Sequence, residues 1–307
     1  MIYHKSGYIP AKRHTVFRNE NGGLYYEELF GREGFTGDSS LLYHIHRPTQ
    51  IARIDDFVDA SPEIAVHQNV TSRKFKKEKA KVGNVYLEAK TALLVNQDLI
   101  IGIAHVKAHE QKGFYKNATG DELIFIHEGK GVLNTFLGSI KFQEGDYLVI
   151  PKGVIYQINF SAAINKVFYI DSKSRITFPK RYLSDHGQFL EHAPVCERDI
   201  RLPESFEAID EQGEFKLTIN KNNCLHHLVY EYHPFDVVGW DGYCYPYAIS
   251  IHDFEPITGS IHQPPPVHQL FEGKNFVVCS FCPRLFDYHP NSIPAPYHHS
   301  NLDSDEV

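Results

Sequence analysis

Near the end of the chain stands His299-Ser-Asn301-Leu-Asp-Ser-Asp-Glu306. Its spacing of ring, any residue, Asn, four residues and Glu repeats that of Tyr115-Lys-Asn117-Ala-Thr-Gly-Asp-Glu122. The offset is constant at 184 residues (299 − 115, 301 − 117 and 306 − 122), which marks two segments built on one plan. In the later copy an imidazole and a carboxylate are both present. A neutral ring nitrogen and an anionic oxygen turned inward from adjacent strands are donors a divalent ion takes. With a third imidazole they would make the facial arrangement that leaves three positions of an Fe(II) octahedron open, so that substrate and O2 can bind together. An isolated His and Glu at this spacing would read more simply as a packed ring and a solvated strand-end charge. The repeat register turns the reading toward metal.

Such donors need strands to hold them, and the chain supplies strands. Short β-branched and aromatic runs broken by Gly, Pro, Asn or Asp recur throughout: Asn84–Ala89, Ala92–Asn96, Leu99–His105, Glu122–His127, Tyr147–Ile150 and Lys166–Ile170. This is the pattern of an all-β sandwich or barrel. A hydrophobic content of 42% over 307 residues supports one large core or two ordinary ones. The net charge of −7 leaves no basic face for nucleic acid. No run is long and apolar enough to cross a membrane, and the start, MIYHKSGYIPAKRH, does not read as a secretion signal. A cytoplasmic address is expected. The five cysteines are scattered, and Phe276–Cys282, which carries Cys279 and Cys282, reads as a buried strand rather than a zinc or redox site. The lysine-rich stretch from Arg73 to Lys81 reads as a solvated loop.

The punctuation around Gly145 is specific. Gly145, five residues, Pro151, one residue, Gly153 and then Tyr156 resembles the second motif of the cupin superfamily, and the segment from Tyr115 to Glu122 resembles the first. The resemblance implies a bicupin: two double-stranded β-helix (jelly-roll) barrels. In that superfamily the ligands are two His and a Glu in the first motif and a His in the second. Here those positions hold Tyr115, Asn117, Glu122 and Tyr156. The amino-terminal barrel is therefore expected to be metal-free, and the carboxy-terminal one catalytic. The expected division is 1–171 for the amino-terminal arm and degenerate barrel, 172–214 for a connecting segment, and 215–307 for the start of the catalytic barrel. Carrying the repeat offset from Tyr156 puts the third metal ligand at about position 340, past Val307, so the catalytic barrel is expected to be incomplete in this chain. His44 and His46 look like a His-x-His pair but lack a nearby following Glu, and a structural role in the amino-terminal arm is expected.

Longer segments resemble the homogentisate 1,2-dioxygenase family: Gly23–Gly37, Ser39–Thr49, Pro234-Phe-Asp-Val-Val-Gly-Trp-Asp-Gly and Tyr245-Pro-Tyr. The resemblance implies Fe(II) as cofactor, a small aromatic acid and O2 as partners, and a homo-oligomer, trimeric or hexameric. It implies His299 and Glu306 as metal ligands. Asp305 fits the family's shorter count, whereas the repeat and the cupin spacing select Glu306. It further implies His262 as acid–base, with His268 as the fallback, and Tyr297 against the substrate ring. The implied reaction opens the homogentisate ring to maleylacetoacetate in tyrosine and phenylalanine catabolism. A dioxygenase for gentisate or another hydroxylated aromatic acid and a non-catalytic bicupin are the alternatives.

Overall fold

A computed structural model describes residues 2–66, 74–76, 80–204, 207–257, 267–282, 290–291, 300–302 and 304–307. The described chain is nearly all strand, as expected from its broken β-branched runs. One large sheet network holds fourteen strands. Its centre is the 18-residue strand Ile155–Ser172. The first part of that strand pairs with Lys130–Thr135 and Phe114–Asn117, and the second with Leu99–His109 and Asp121–Glu128. Between Phe160 and Ile164 the register shifts, and a bulge of this kind bends a strand so that it serves two faces of a barrel. Asn165 braces the bend, donating from Nδ2 to the carbonyls of Ala162 at 2.8 Å and Val106 at 3.1 Å.

The strands alternate between two cores. Ile124, Ile126, Leu148 and Ile150 point into the barrel beside Leu133, Ile140 and Trp240. Leu123, Tyr147 and Val149 point outward and are covered by Ile176, Phe178, Val195, Leu270 and Phe271. The segment expected to be a connection thus supplies the second core's lid, and so does the hairpin of Gln269–Gly273 and Phe276–Cys279. The latter strand is half-buried, and the Cys279 and Cys282 thiols are free.

The strand Gln212–Lys221 spans residue 215, with a register shift between Gln212 and Phe215 in its pairing with Cys224–Tyr232. Gln212–Lys221 lies parallel to Phe114–Asn117, and Tyr247–Ser250 pairs with Asp146–Ile150. Val237–Gly242 sits between His4–Gly7 and Ser39–His44 in a separate four-stranded sheet. The outermost strand of the large sheet, Ile51–Asp59, is exposed along its whole length. One expected strand is a helix instead: Tyr86–Ala89 makes a single four-residue turn. Leu, Glu and Ala favour that state, and the turn buries Tyr86 and Ala89 on one side. Lys74–Lys76, within the lysine-rich stretch, are exposed and without regular structure. Among the described residues no helix is long and apolar enough to cross a membrane.

Candidate metal centre

The first-motif residues converge as their spacing requires. Tyr115 and Tyr156 face each other across paired strands with ring centroids 5.3 Å apart. Gly145 and Gly153 take positive φ values of 86° and 91°, which a side-chain-bearing residue adopts only with strain, and so set the turns before the strand that carries Tyr156. Glu122, 1% exposed, lies at the centre. The Tyr156 hydroxyl donates to its Oε2 at 3.0 Å. On its other side is a residue that the motif spacing did not suggest: Lys90, whose Nζ lies 3.4 Å from Glu122 Oε1 and 2.7 and 2.8 Å from the two oxygens of Asp171.

The electrostatics follow from this packing. Burial raises the Glu122 pKa; Lys90 opposes the rise and Asp171 adds to it, leaving the carboxyl at about 7. Burial alone would lower the Lys90 pKa, but the charges of Asp171 and Glu122 outweigh it and hold the ammonium well above its ordinary value. Burial likewise pushes the Tyr115 and Tyr156 phenols well up, so both stay protonated and neutral. A cluster of neutral phenols around an ammonium does not fit a divalent metal, which needs deprotonated or imidazole donors. Asn117 is also committed elsewhere: its Oδ1 accepts from the backbone N–H groups of Thr119 at 2.9 Å and Gly120 at 3.2 Å.

Of the residues expected to form the second centre, Glu306 and His268 are described. Glu306 is exposed, belongs to no regular element, and accepts a hydrogen bond from the Asn301 side chain. Burial raises the Cys279 pKa, Arg181 opposes the rise, and the charge of Glu306 adds to it. Asp305 is exposed as well. His268 is half-buried ahead of the hairpin, its ring 4.6 Å from that of Phe281. His262, Tyr297 and His299 lie outside the described residues. Among the described residues no group of three His, Cys, Asp or Glu side chains is placed to hold a metal.

The longer motifs in the sequence serve the junction between arm and barrel. His44, buried, donates from Nδ1 to Asp236 at 2.8 Å and from Nε2 to Glu28 at 3.0 Å. Burial would lower its pKa, yet the two carboxylates raise it to about 9. Asp236 also accepts the backbone N–H of His46 at 2.8 Å. Trp240 donates its indole N–H to the Leu137 carbonyl at 2.7 Å, inside the barrel core. Asp241 accepts from the Tyr3 hydroxyl at 2.8 Å and pairs with Arg13. At the barrel rim the buried Asp121 pairs with Arg32 and accepts the backbone N–H groups of Lys152 at 2.8 Å and Ile176 at 2.9 Å. The Pro234–Gly242 motif is therefore a clamp, and His44 has a structural task.

A β-network of this kind, with both motif turns in place around Tyr115, Glu122 and Tyr156, is a cupin barrel. The chain belongs to the homogentisate 1,2-dioxygenase family: residues 71–251 match the family model described as "Homogentisate 1,2-dioxygenase N-terminal". It is 42% identical over its whole length to a putative dioxygenase of Saccharolobus solfataricus, covering 79% of that protein. It is 27% identical to the homogentisate 1,2-dioxygenase of Emericella nidulans over 62% of this chain and 44% of that one. Among solved structures, a cupin-2 domain protein of Shewanella frigidimarina is 23% identical over 27% of this chain and 78% of its own, with a TM-score of 0.24.

Proposed function

We propose that this protein is an Fe(II)-dependent dioxygenase that opens the ring of homogentisate, with His299 and Glu306 as metal ligands and His262 as the acid–base. The observation that carries the reading is the alignment of the entire chain with a dioxygenase relative at 42% identity. The repeat of the Tyr115–Glu122 spacing at His299–Glu306 supports the ligand assignment. An imidazole and a carboxylate are donor types suited to Fe(II). Iron, when bound, supplies open coordination positions at which an electron-rich phenol and O2 can meet.

The remaining work falls to the chain. His262 accepts the phenol proton, as an imidazole that titrates near neutrality can. Tyr297 lies against the substrate ring and limits how it can turn. The hydroquinone supplies the electrons and both oxygen atoms enter the product, so no external reductant is needed.

The test loads the protein with Fe(II) under anaerobic conditions and follows O2 uptake with homogentisate, gentisate and other hydroxylated aromatic acids. Uptake with homogentisate, yielding maleylacetoacetate, supports the reading, and loss of both iron and uptake in His299→Ala supports the ligand assignment. Uptake only with gentisate replaces the substrate. Retention of iron with no O2 uptake on any of these acids rejects the enzyme in favour of a non-catalytic bicupin.

A further inference from the structure

We propose that the amino-terminal barrel still carries a cation at its ancestral metal position, and that this cation is the Lys90 ammonium, which joins Glu122 to Asp171 and keeps metal out. Asp171 and Glu122 are direct cross-strand partners in the register of Ile155–Ser172 with Asp121–Glu128. Two like charges opposed on a buried sheet face destabilise it, and a charge left unpaired in a core costs more still. Lys90 Nζ answers both, reaching three carboxylate oxygens at 2.7 to 3.4 Å.

The rest of the surroundings also suit a cation. The Tyr169 ring centroid is 4.3 Å from Nζ and that of Tyr86 is 5.5 Å away, close enough for attraction to the aromatic faces. The Tyr86 hydroxyl is buried and makes no hydrogen bond among the described residues, so the cluster keeps a polar group in reserve. Lys90 is brought here by the helical turn Tyr86–Ala89, which delivers the chain to the strand Lys90–Val95 pairing with Leu99–His109. Glu122 keeps the place of the cupin carboxylate, and Tyr156 takes the place of the second-motif imidazole and donates to it. The ion pair is thus centred on the residue that the motif spacing matches to the cupin carboxylate, with two aromatic rings beside the ammonium.

The inference makes a claim about metal that a purely structural salt bridge does not. In the full 307-residue chain, the double variant Tyr115→His/Tyr156→His restores two imidazoles beside Glu122. Each protein is incubated with Mn(II), desalted and assayed for metal against the unsubstituted chain. The double variant is expected to hold no additional metal, and the same variant carrying Lys90→Ala to hold one further equivalent. Extra metal with Lys90 retained, or none after its removal, overturns the proposal.

A second measurement stands if those variants fold poorly. Lys90→Ala alone should lower the thermal midpoint by roughly 10 °C, the effect of breaking a buried ion pair in a domain of this size. Propylammonium, which matches the three carbons and the charge that the substitution removes, should restore part of that loss, whereas equal concentrations of sodium should not. A Lys90→Ala protein as stable as the parent, or one that propylammonium does not rescue, sinks the idea.

Discussion

Glu122 and Glu306 occupy the same place in a repeated spacing and live in opposite surroundings. Glu122 is sealed in a barrel between Lys90, Asp171 and Tyr156. Glu306 is exposed and meets the side chain of Asn301. The first is held by three paired strands and is part of the packing; the second lies exposed outside any regular element. Spacing therefore identifies which positions correspond, while the neighbours decide what a carboxylate does there. A carboxylate can be retained because it binds metal or because its loss would leave a buried lysine unpaired.

The sharpest way to separate the two regions is through turnover. His262→Phe should leave iron in place and lower turnover by about 10²–10⁴-fold, the range of a lost acid–base group. Tyr156→Phe, in the first barrel, should leave turnover unaltered. Equal losses in both would erase the functional contrast. Stability should invert the ranking. Glu122→Ala should cost about 3–5 kcal/mol in chemical denaturation, because it strips a partner from a buried ammonium. Glu306→Ala should stay within about 0.5 kcal/mol, as exposed positions do, while removing metal.

Smaller effects come from pH. His44 has a folded pKa of about 9 against an ordinary 6.5. Its contribution is fully present below pH 6.5 and declines as pH rises through 9. The thermal midpoint should fall by a few degrees across that window, and His44→Gln should flatten it. Glu122 gives a signal of similar size in a lower pH window. Its folded pKa of about 7 against 4.5 means the folded state binds the proton more tightly, so stability declines between pH 4.5 and 7. Thermal scans of Glu122→Gln should lose this slope, and a slope unchanged in the variant would show that Glu122 is not its source.

Much of the barrel was legible in the sequence, because alternation survives wherever one strand face is buried. Glu122–His127, Tyr147–Ile150 and Lys166–Ile170 all lie within strands. Asn84–Ala89 misled, since its aromatic and aliphatic residues serve a helical turn as readily as a strand. Lys90 could not be seen, for a lysine that opens a strand ordinarily faces water. Asp171 left a trace: Val167 and Tyr169 precede it at intervals of two and are buried, which places a carboxylate on the inward face. The parallel pairing of Gln212–Lys221 with Phe114–Asn117 was not legible, because no local pattern announces a partner about a hundred residues away.

The tethering of residues 2–13 to residues 237–245 has a consequence for biosynthesis. His4–Gly7 finds its strand partner in Val237–Gly242, and the Tyr245 hydroxyl donates to the Ile2 carbonyl at 2.6 Å. The arm must wait for a strand synthesised much later in the chain before it can settle. During that interval the arm is available to proteases and chaperones, and its docking should be among the late events of maturation.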